Sequence, residues 1–324
     1  SVSQTMTIAQ QLYESGLITY MRTDSVNLSK LALGSIKEEI EKLYGKEYSK
    51  TRQFATKTKG AQEAHEAIRP TYISNREIEG SAAQKKLYEL IWKRTVASQM
   101  SEAKVEKTSV QIDISNVPQY FIARGEVIVF DGFLKVYEES NDDDSADEEK
   151  GQLPKLKTGQ QLEQQKVVAE QRFSQPPPRY SEASLVKKLE DLGIGRPSTY
   201  APTISTIQKR EYVIKENRQP VERKYILIKL VKGDIKRTIE TEKFGGEKNK
   251  LFPTDLGVVV TKFLIEHFEN IIDYNFTATI EKDFDEIADG KKKWGSLIAK
   301  FYKDFDPQVS NIDKTTGKYH GERL

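Results

Sequence analysis

The stretch GLITYMRTDS, residues 16–25, places a tyrosine two positions before an arginine. Its pattern predicts a strand over Leu17 to Thr23, in which alternate side chains share one face. Tyr20 and Arg22 would then lie roughly 7 Å apart at Cα, close enough for both to reach one phosphate. A phenol, with a pKa near ~10, is a weak nucleophile unless a base or cation assists it. The stretch therefore allows a nucleophile beside its cation or a plain Tyr–Arg cation–π pair, and the spacing alone favours the pair.

Helical patterns surround this stretch. The spacing of apolar residues predicts four helices, over residues 5–15, 29–44, 61–69 and 82–99. Gly16 and Pro70 stand where the first and third of these helices should end. We therefore expect an α-rich domain over residues 1–105.

A β pattern follows the helical domain. Val110, Ile112 and Ile114 alternate with polar residues, and similar segments recur further along the chain. We expect a β-rich region over residues 106–172. The acidic run at 138–149 is predicted to be a solvated loop within it, because like charges repel one another.

Three consecutive prolines, at 176–178, mark the next boundary. Helical spacing predominates over residues 173–312, and residues 313–324 form a short tail. The sequence therefore predicts a multidomain α+β protein that is mostly helical, with a smaller antiparallel β region.

The composition limits the chemistry that the chain can use. Its 324 residues exceed one ordinary core and suggest two or three domains. The chain has no cysteine and three histidines, which argues against a disulfide framework, a zinc site and a thiol nucleophile. No apolar run approaches the ~20 residues that span a bilayer, so we expect a cytoplasmic protein.

The charge balance suggests a polyanionic partner. The net charge is +2, but the run at 138–149 holds eight acids and no base. The remainder of the chain therefore carries about +10, a balance that fits nucleic acid. A Lys-rich solvated face would give the same balance.

The segment EAHEAIRP, residues 63–70, first suggests a zinc-protease helix. The position four after His65 is Arg69 rather than a second histidine, so we reject zinc. A helix here would present His65 and Arg69 on one face, which suits a phosphate backbone. An intrahelical Glu66–Arg69 pair on a surface helix is equally consistent with the spacing.

A second candidate anion site lies in the stretch GIGRPSTY, residues 193–200. A glycine-bearing turn joins two predicted helices, and the second helix begins near Ser198 or Thr199, with Arg196 before it. Hydroxyls at a free helix N-terminus attract anions. Ordinary helical hairpins share this pattern, so the signal is weak by itself.

One acidic cluster imitates a metal-binding motif. Asp283, Asp285 and Asp289 are close in sequence, but the apolar residues around them have helical spacing: Phe276, Ile280, Phe284 and Ile287. The acids are therefore expected on the solvated face of an amphipathic helix, and we assign no metal to them.

Taken together, three stretches resemble motifs of the type IA DNA topoisomerase family, in the same order: GLITYMRTDS, AHEAIRPT and GIGRPSTYAPTISTIQKREYV. The similarity extends over nearly the whole chain. Met21 favours the topoisomerase I branch, because the topoisomerase III branch typically has YPRTD at this point. The resemblance implies that the chain forms part of the family's toroidal clamp, with residues 106–172 as its arch or hinge.

The resemblance also implies roles for single residues. Tyr20 would attack a single-strand phosphodiester to form a 5′-phosphotyrosyl bond, and Arg22 would position the scissile phosphate. His65 would contact the DNA backbone near the nucleophile. Arg196, Ser198 and Thr199 would bind the single strand leading into the site. The implied reaction relaxes negatively supercoiled DNA without ATP, and no GxxxxGK[ST] sequence is present.

The sequence also departs from the family pattern. Members of the family have a Toprim domain with a general-acid glutamate and a DxDxE magnesium cluster, and many also have zinc ribbons. No stretch of this sequence matches the Toprim domain or a zinc ribbon. We therefore expect an internal fragment whose Mg²⁺ ligands lie in a missing N-terminal Toprim region, and expect the fragment to bind no metal. Its exposed apolar surface would favour self-association, and the parent enzyme would be nucleoid-associated.

Two other classes of DNA-binding protein can be compared with this sequence. A single-stranded DNA-binding module without catalytic activity remains an alternative, because charge and aromatic stacking are sufficient for binding. A tyrosine recombinase or relaxase is disfavoured, because Tyr20 lies near the start of the chain and the histidines are scattered.

Overall fold

The structure is a computed structural model that describes residues 1–54, 65–138 and 153–315. Within these ranges the chain is an α+β protein with more helix than strand and small antiparallel sheets, so the predicted fold class is confirmed. Among the described helices, none is long and apolar enough to cross a membrane.

Three helices build the first part of the chain: α1 (Val2–Glu14), α2 (Lys30–Tyr44) and α3 (Ala82–Ser98). They confirm the helices predicted over residues 5–15, 29–44 and 82–99. Their apolar faces meet in one core, where Leu12, Ile36 and Tyr88 are almost fully buried. The polar atoms of this core are hydrogen bonded, as burial requires: Trp92 Nε1 donates to the carbonyl of Ile73 at 2.8 Å.

The strand predicted over Leu17 to Thr23 is wrong. Only Ile18 forms a β-bridge there, with Pro70. Strand alternation fails because Ile18 and Met21, three residues apart, are both buried in the core. The segment is part of the irregular connection of residues 15–29 between α1 and α2.

The helix predicted over residues 61–69 is also wrong where it can be assessed. Residues 61–64 lie outside the described ranges, and residues 65–69 are not helical. Their backbone groups pair with the connection after α1 instead: Thr19 N–H donates to the carbonyl of Arg69 at 2.9 Å, and Thr71 N–H to that of Leu17 at 3.0 Å. Pro70 also disfavours helical backbone angles at Arg69.

The strands form three antiparallel sheets within the described ranges. They are the hairpin of β1 (Lys104–Asp113) and β2 (Tyr120–Phe130), the sheet of β3 (Lys166–Glu170), β5 (Val221–Val231) and β6 (Asp234–Phe244), and the pair of β4 (Val213–Arg218) and β7 (Glu247–Pro253). Strands β4 to β7 thus lie in the stretch predicted as mainly helical. The acidic run, apart from Glu138, lies outside the described residues.

The remaining helices are α4 (Glu182–Asp191), α5 (Tyr200–Lys209), α6 (Asp255–His267), α7 (Glu269–Ile272), α8 (Tyr274–Ala288) and α9 (Trp294–Thr315). Helix α9 continues past Pro307 and past the boundary predicted at residue 312. Aromatic rings join the last helices, since Phe301 of α9 lies 5.9 Å from Phe276 of α8. Residues 316–324 of the predicted tail lie outside the described chain.

A buried carboxylate joins the first helix to the later ones. Glu182, at the start of α4, accepts a hydrogen bond from the Val2 N–H at 2.8 Å and from Lys215 Nζ at 3.3 Å. Burial alone raises the pKa of Glu182, but these hydrogen bonds outweigh it and leave the pKa below its usual value. The N-terminus of α1 is therefore held against α4 and β4.

Candidate active site

Tyr20 lies between two other aromatic rings. Its ring centroid is 5.3 Å from that of Tyr13, with the planes at 71°, and 4.9 Å from that of His65, with the planes at 42°. The phenol is half-buried by these neighbours. The structure thus brings together two of the predicted site residues, Tyr20 and His65, and adds Tyr13.

The backbone around Tyr20 determines where its ring lies. Gly16, directly after α1, has a φ of +71°, a left-handed conformation that glycine adopts without steric cost. Ile18 and Met21 are anchored in the core, with 2% and 6% of their surface exposed. These anchors on both sides leave Tyr20 at the surface of the core and Arg22 exposed.

Arg22 is held by an amide rather than by a carboxylate. Its Nη2 donates to Gln10 Oε1 at 3.1 Å, and Gln10 Nε2 donates to Glu14 Oε1 at 2.8 Å. The second hydrogen bond fixes the orientation of the Gln10 amide, so that its oxygen faces Arg22. In the part of the chain that the structure describes, Arg22 forms no ion pair, and its charge is available to an anion.

One face of α1 supports both predicted catalytic residues. Gln10 and Tyr13 are three residues apart on this helix, so their side chains share a face. Gln10 contacts Arg22, and Tyr13 contacts the ring of Tyr20. Neither residue was predicted from the sequence as part of the site. Their helical spacing immediately before Gly16 was the available signal.

Arg69 is engaged within the protein. Its Nη2 lies 2.7 Å from Glu66 Oε2, and its Nη1 donates to the carbonyl of Pro70 at 2.9 Å. Its Nε is buried and has no partner among the described residues. The Glu66–Arg69 pair considered from the sequence is present, although not on a helix. This placement favours a structural role for Arg69 over the predicted contact with DNA.

Glu66 links the same segment to α2. Its Oε1 accepts a hydrogen bond from the N–H of Ser29, the N-cap residue of α2, at 2.6 Å. Burial alone raises the pKa of Glu66, but the hydrogen bonds from Arg69 and Ser29 outweigh it and leave the pKa below its usual value. The carboxylate therefore stays ionised and holds the segment that carries His65.

The turn between α4 and α5 contains the second predicted anion site. Gly193 and Gly195 have φ angles of +69° and +87°, which glycine adopts readily. The Thr199 hydroxyl accepts from the Arg196 N–H at 2.9 Å and donates to the Arg196 carbonyl at 3.1 Å. It closes the turn and forms no side-chain cap on α5. Ser198 and Thr199 are both exposed.

Arg196 itself faces helix α8. Its Nη2 lies 3.1 Å from Asp285 Oδ2, and its Nε lies 3.5 Å from Glu281 Oε2. The neighbouring acids of α8 pair with lysines, since Asp283 Oδ1 lies 2.5 Å from Lys292 Nζ. The acids of α8 are therefore paired with basic side chains. The solvated face predicted for them is wrong, because the Asp283 side chain is 16% exposed whereas Phe284 is 52% exposed.

Tyr200 connects the two motifs. Burial raises its pKa to about 12, with further contributions from the carboxylates of Glu190 and Asp24. Asp24 belongs to the stretch GLITYMRTDS. Helix α1 contacts α5, so the segment after α1 and the turn before α5 belong to neighbouring parts of the structure.

The family model described as DNA topoisomerase matches residues 1–244 and 233–299. The chain belongs to this DNA topoisomerase family. The match covers the three stretches on which the resemblance was based, so the resemblance is confirmed.

Curated relatives carry the topoisomerase name as well. The chain is 44% identical to a DNA topoisomerase 1 of prokaryotic type from Acanthamoeba polyphaga mimivirus, over 100% of this chain and 40% of the relative. It is 42% identical to DNA topoisomerase 1 of Zymomonas mobilis, over 96% of this chain and 24% of the relative. The chain therefore spans less than half the length of the curated relatives it matches.

A solved structure of the same family is similar in fold. Full-length topoisomerase I from Thermotoga maritima matches with a TM-score of 0.70 and 33% identity. The match covers 96% of this chain and 46% of that one.

The Mg²⁺ ion implied by the family does not fit the residues that the structure describes. They contain no group of three or more His, Cys, Asp or Glu side chains able to hold a metal ion. The stretch GLITYMRTDS contributes a single carboxylate, Asp24.

Proposed function

We propose that the chain carries the nucleophile of a type IA topoisomerase that relaxes negatively supercoiled DNA without ATP. Tyr20 cleaves one strand, a second strand passes through the break, and the break is religated. The observation that carries this proposal is the surroundings of Tyr20. Its ring touches His65, and two residues later follows an exposed arginine that forms no ion pair with any described residue.

The cleavage step exchanges one phosphodiester for another. The Tyr20 oxygen forms a bond to the phosphorus, and the bond to the 3′ oxygen of the preceding nucleotide breaks. The phenol loses a proton and the leaving 3′ oxygen gains one. The product is a 5′-phosphotyrosyl bond and a free 3′-hydroxyl, and religation reverses the step. The bond energy is retained in the adduct, so no nucleotide cofactor is needed.

Arg22 and His65 have complementary roles in this proposal. The Arg22 guanidinium binds the non-bridging oxygens of the scissile phosphate and stabilises the charge that develops on them. A ring nitrogen of His65 donates a hydrogen bond to the DNA backbone beside Tyr20. Ser198 and Thr199, both exposed, contact the incoming strand. Gln10 and Tyr13 hold Arg22 and Tyr20 in place.

We expect the chain alone to bind DNA and to cleave it poorly. A Toprim region would supply the general acid that protonates the 3′ oxygen. The partners are therefore DNA and a Toprim region, in the cytoplasm at the nucleoid.

Self-association is a further expectation. Ile235 and Ile239 are 74% and 66% exposed, and they lie on one face of β6 because they are four residues apart on a strand. An uncovered apolar face of this kind favours contact with a second copy or with the rest of the protein. A monomeric sedimentation profile at high concentration would contradict self-association.

Adduct formation tests the enzyme proposal. A single-stranded oligonucleotide labelled at its 3′ end is incubated with Mg²⁺ and the chain, with and without a Toprim region added in trans. We expect an adduct that resists denaturation in the complemented reaction. It should disappear in Tyr20→Phe and persist in the matched control Tyr13→Phe.

The same assay distinguishes the alternative of a binding module without catalysis, which would hold a single strand by charge and aromatic stacking. Salt-sensitive binding with no adduct under any condition would support the module. If no salt-sensitive binding occurs, the nucleic-acid function fails as a whole.

A further inference from the structure

Arg196 is neutralised by α8 in this structure. Its Nη2 and Nε lie 3.1 and 3.5 Å from the carboxylates of Asp285 and Glu281, and 15% of its side chain is exposed. Its remaining contact runs from Nη1 to the carbonyl of Gly195 at 3.5 Å. The guanidinium predicted to bind a DNA strand therefore faces a helix of its own chain.

The two carboxylates form a site for this cation. Glu281 and Asp285 are four residues apart on α8, about one helical turn, so their like charges repel unless a cation lies against both. The turn also comes close to α8 at Gly193, where an added Cβ would lie 3.5 Å from Ala278 Cβ. These contacts hold Arg196 against the acids.

The charges of this cluster oppose a phosphate. One guanidinium and two carboxylates carry a formal net charge of about −1. A phosphate about 4 Å from the guanidinium would lie about 7 Å from each carboxylate, and Coulomb energy falls with the inverse of distance. The two repulsions together then offset most of the single attraction. A phosphate therefore binds Arg196 more strongly when the guanidinium leaves the acids.

We propose that Glu281 and Asp285 are intramolecular competitors for phosphate at Arg196, and that they set the affinity of the turn at residues 193–199 for a DNA strand. This inference rests on the proposed nucleic-acid function. In it, binding exchanges two carboxylates for a backbone phosphate, beside the exposed Ser198 and Thr199. The acids keep this contact weak and reversible, which suits a strand that must later be released.

The test removes the competing charges and keeps the arginine. The variant Glu281→Gln with Asp285→Asn preserves side-chain shape on α8. The matched control is Glu286→Gln with Asp289→Asn, which removes two charges that pair with Lys292 and Lys291 instead. Binding of a labelled single-stranded oligonucleotide is titrated from low to high salt with the full chain, and thermal unfolding checks that each variant folds.

The expected result is tighter binding. Releasing Arg196 adds about one phosphate contact. The slope of log K against log salt concentration then steepens by about 0.7, and the affinity rises about fivefold at 0.1 M salt. The gain should be absent from the control pair and should vanish when Arg196→Ala is added. Asp285→Asn alone, the smaller change, should give part of the gain.

Other outcomes overturn the inference. Unchanged or weaker binding in the folded acid variant, with normal binding by the unaltered chain, would mean that the acids do not compete. An equal gain in the control pair would mean that only overall charge matters. If the unaltered chain shows no salt-sensitive binding, the proposed function fails and the inference fails with it.

Discussion

Replacing Arg69 by alanine should weaken folding and leave the salt dependence of DNA binding almost unchanged. The guanidinium donates to Glu66 at 2.7 Å and to the carbonyls of Pro70 and Thr71 at 2.9 and 3.2 Å. With 16% of its side chain exposed, it has little surface to offer to a phosphate. It holds the segment that carries His65.

The magnitude follows from these contacts. A hydrogen bond to a charged group contributes about 1.5–3 kcal/mol, and the variant also leaves Glu66 without its cation. The three contacts are not additive, and the pair is partly exposed, so we expect the free energy of unfolding to fall by about 3 kcal/mol.

The loss should depend on pH. The pKa of Glu66 is lowered in the folded protein, net of the burial that raises it, from a usual value of 4.5. A depressed carboxyl pKa stabilises the folded state above the unfolded pKa, and this stability is lost as pH falls through the folded pKa. The difference between Arg69→Ala and the unaltered chain should therefore be full at neutral pH and shrink below about pH 4.5.

Denaturant unfolding and oligonucleotide titrations against salt measure the two effects. Arg22→Ala is the matched control with the opposite expectation, because Arg22 is exposed and makes one hydrogen bond to Gln10. It should change stability by less than about 0.5 kcal/mol and lower the salt dependence. Suppose that Arg69→Ala is as stable as the unaltered chain and that the slope of log K for DNA against log salt concentration becomes shallower by about 0.7. That result would refute the structural role of Arg69.

Three further predictions concern the site and its support. Arg22→Ala should slow adduct formation in the complemented reaction by about 10²–10³, as loss of one charge-stabilising group does, and an unchanged rate would remove Arg22 from the mechanism. Gln10→Ala should slow adduct formation about threefold to tenfold, because one hydrogen bond of about 1 kcal/mol orients Arg22, whereas Gln11→Ala serves as its neighbour control. Glu182→Gln should lower the free energy of unfolding by about 1–2 kcal/mol at neutral pH, because Lys215 loses its partner. Because the pKa of Glu182 is lowered in the folded protein, the difference in unfolding free energy between Glu182→Gln and the unaltered chain should shrink in acid. A difference that calorimetry finds independent of pH would contradict a stabilising role of the Glu182 carboxylate.

The helices could be predicted because their signals are local. The Ser29 side chain accepts from Ala32 N–H at 3.2 Å, and Ser81 and Gln84 form a capping box at the start of α3. Apolar spacing and caps lie within a few residues of each other, so the sequence alone locates these helices.

The two wrong elements depend on contacts between distant segments. The pattern of residues 17–19 is that of the beginning of a strand, but Leu17 and Thr19 form hydrogen bonds with residues 67–71, and neither segment becomes a regular element. No local pattern distinguishes such a pair from a strand and a helix. The burial of both Ile18 and Met21 is determined by the packing of α1 to α3.

The candidate site was only partly predictable for the same reason. Tyr20 and Arg22 belong to one contiguous motif and were found directly. Tyr13 and Gln10 act across the turn after α1, and the partners of Arg196 come from α8, far along the chain. Pairings of this kind become visible only in the folded structure.

The central claim, that Tyr20 attacks DNA, is tested most directly by locating the attached nucleotide. The denaturation-resistant adduct from the complemented reaction is digested with trypsin, and the nucleotide-bearing peptide is sequenced by mass spectrometry. The expected peptide ends at Arg22 and contains both Tyr13 and Tyr20. Fragmentation should place the phosphodiester on Tyr20. Attachment to Tyr13, whose ring lies 5.3 Å away, or to any residue outside this peptide would contradict the account.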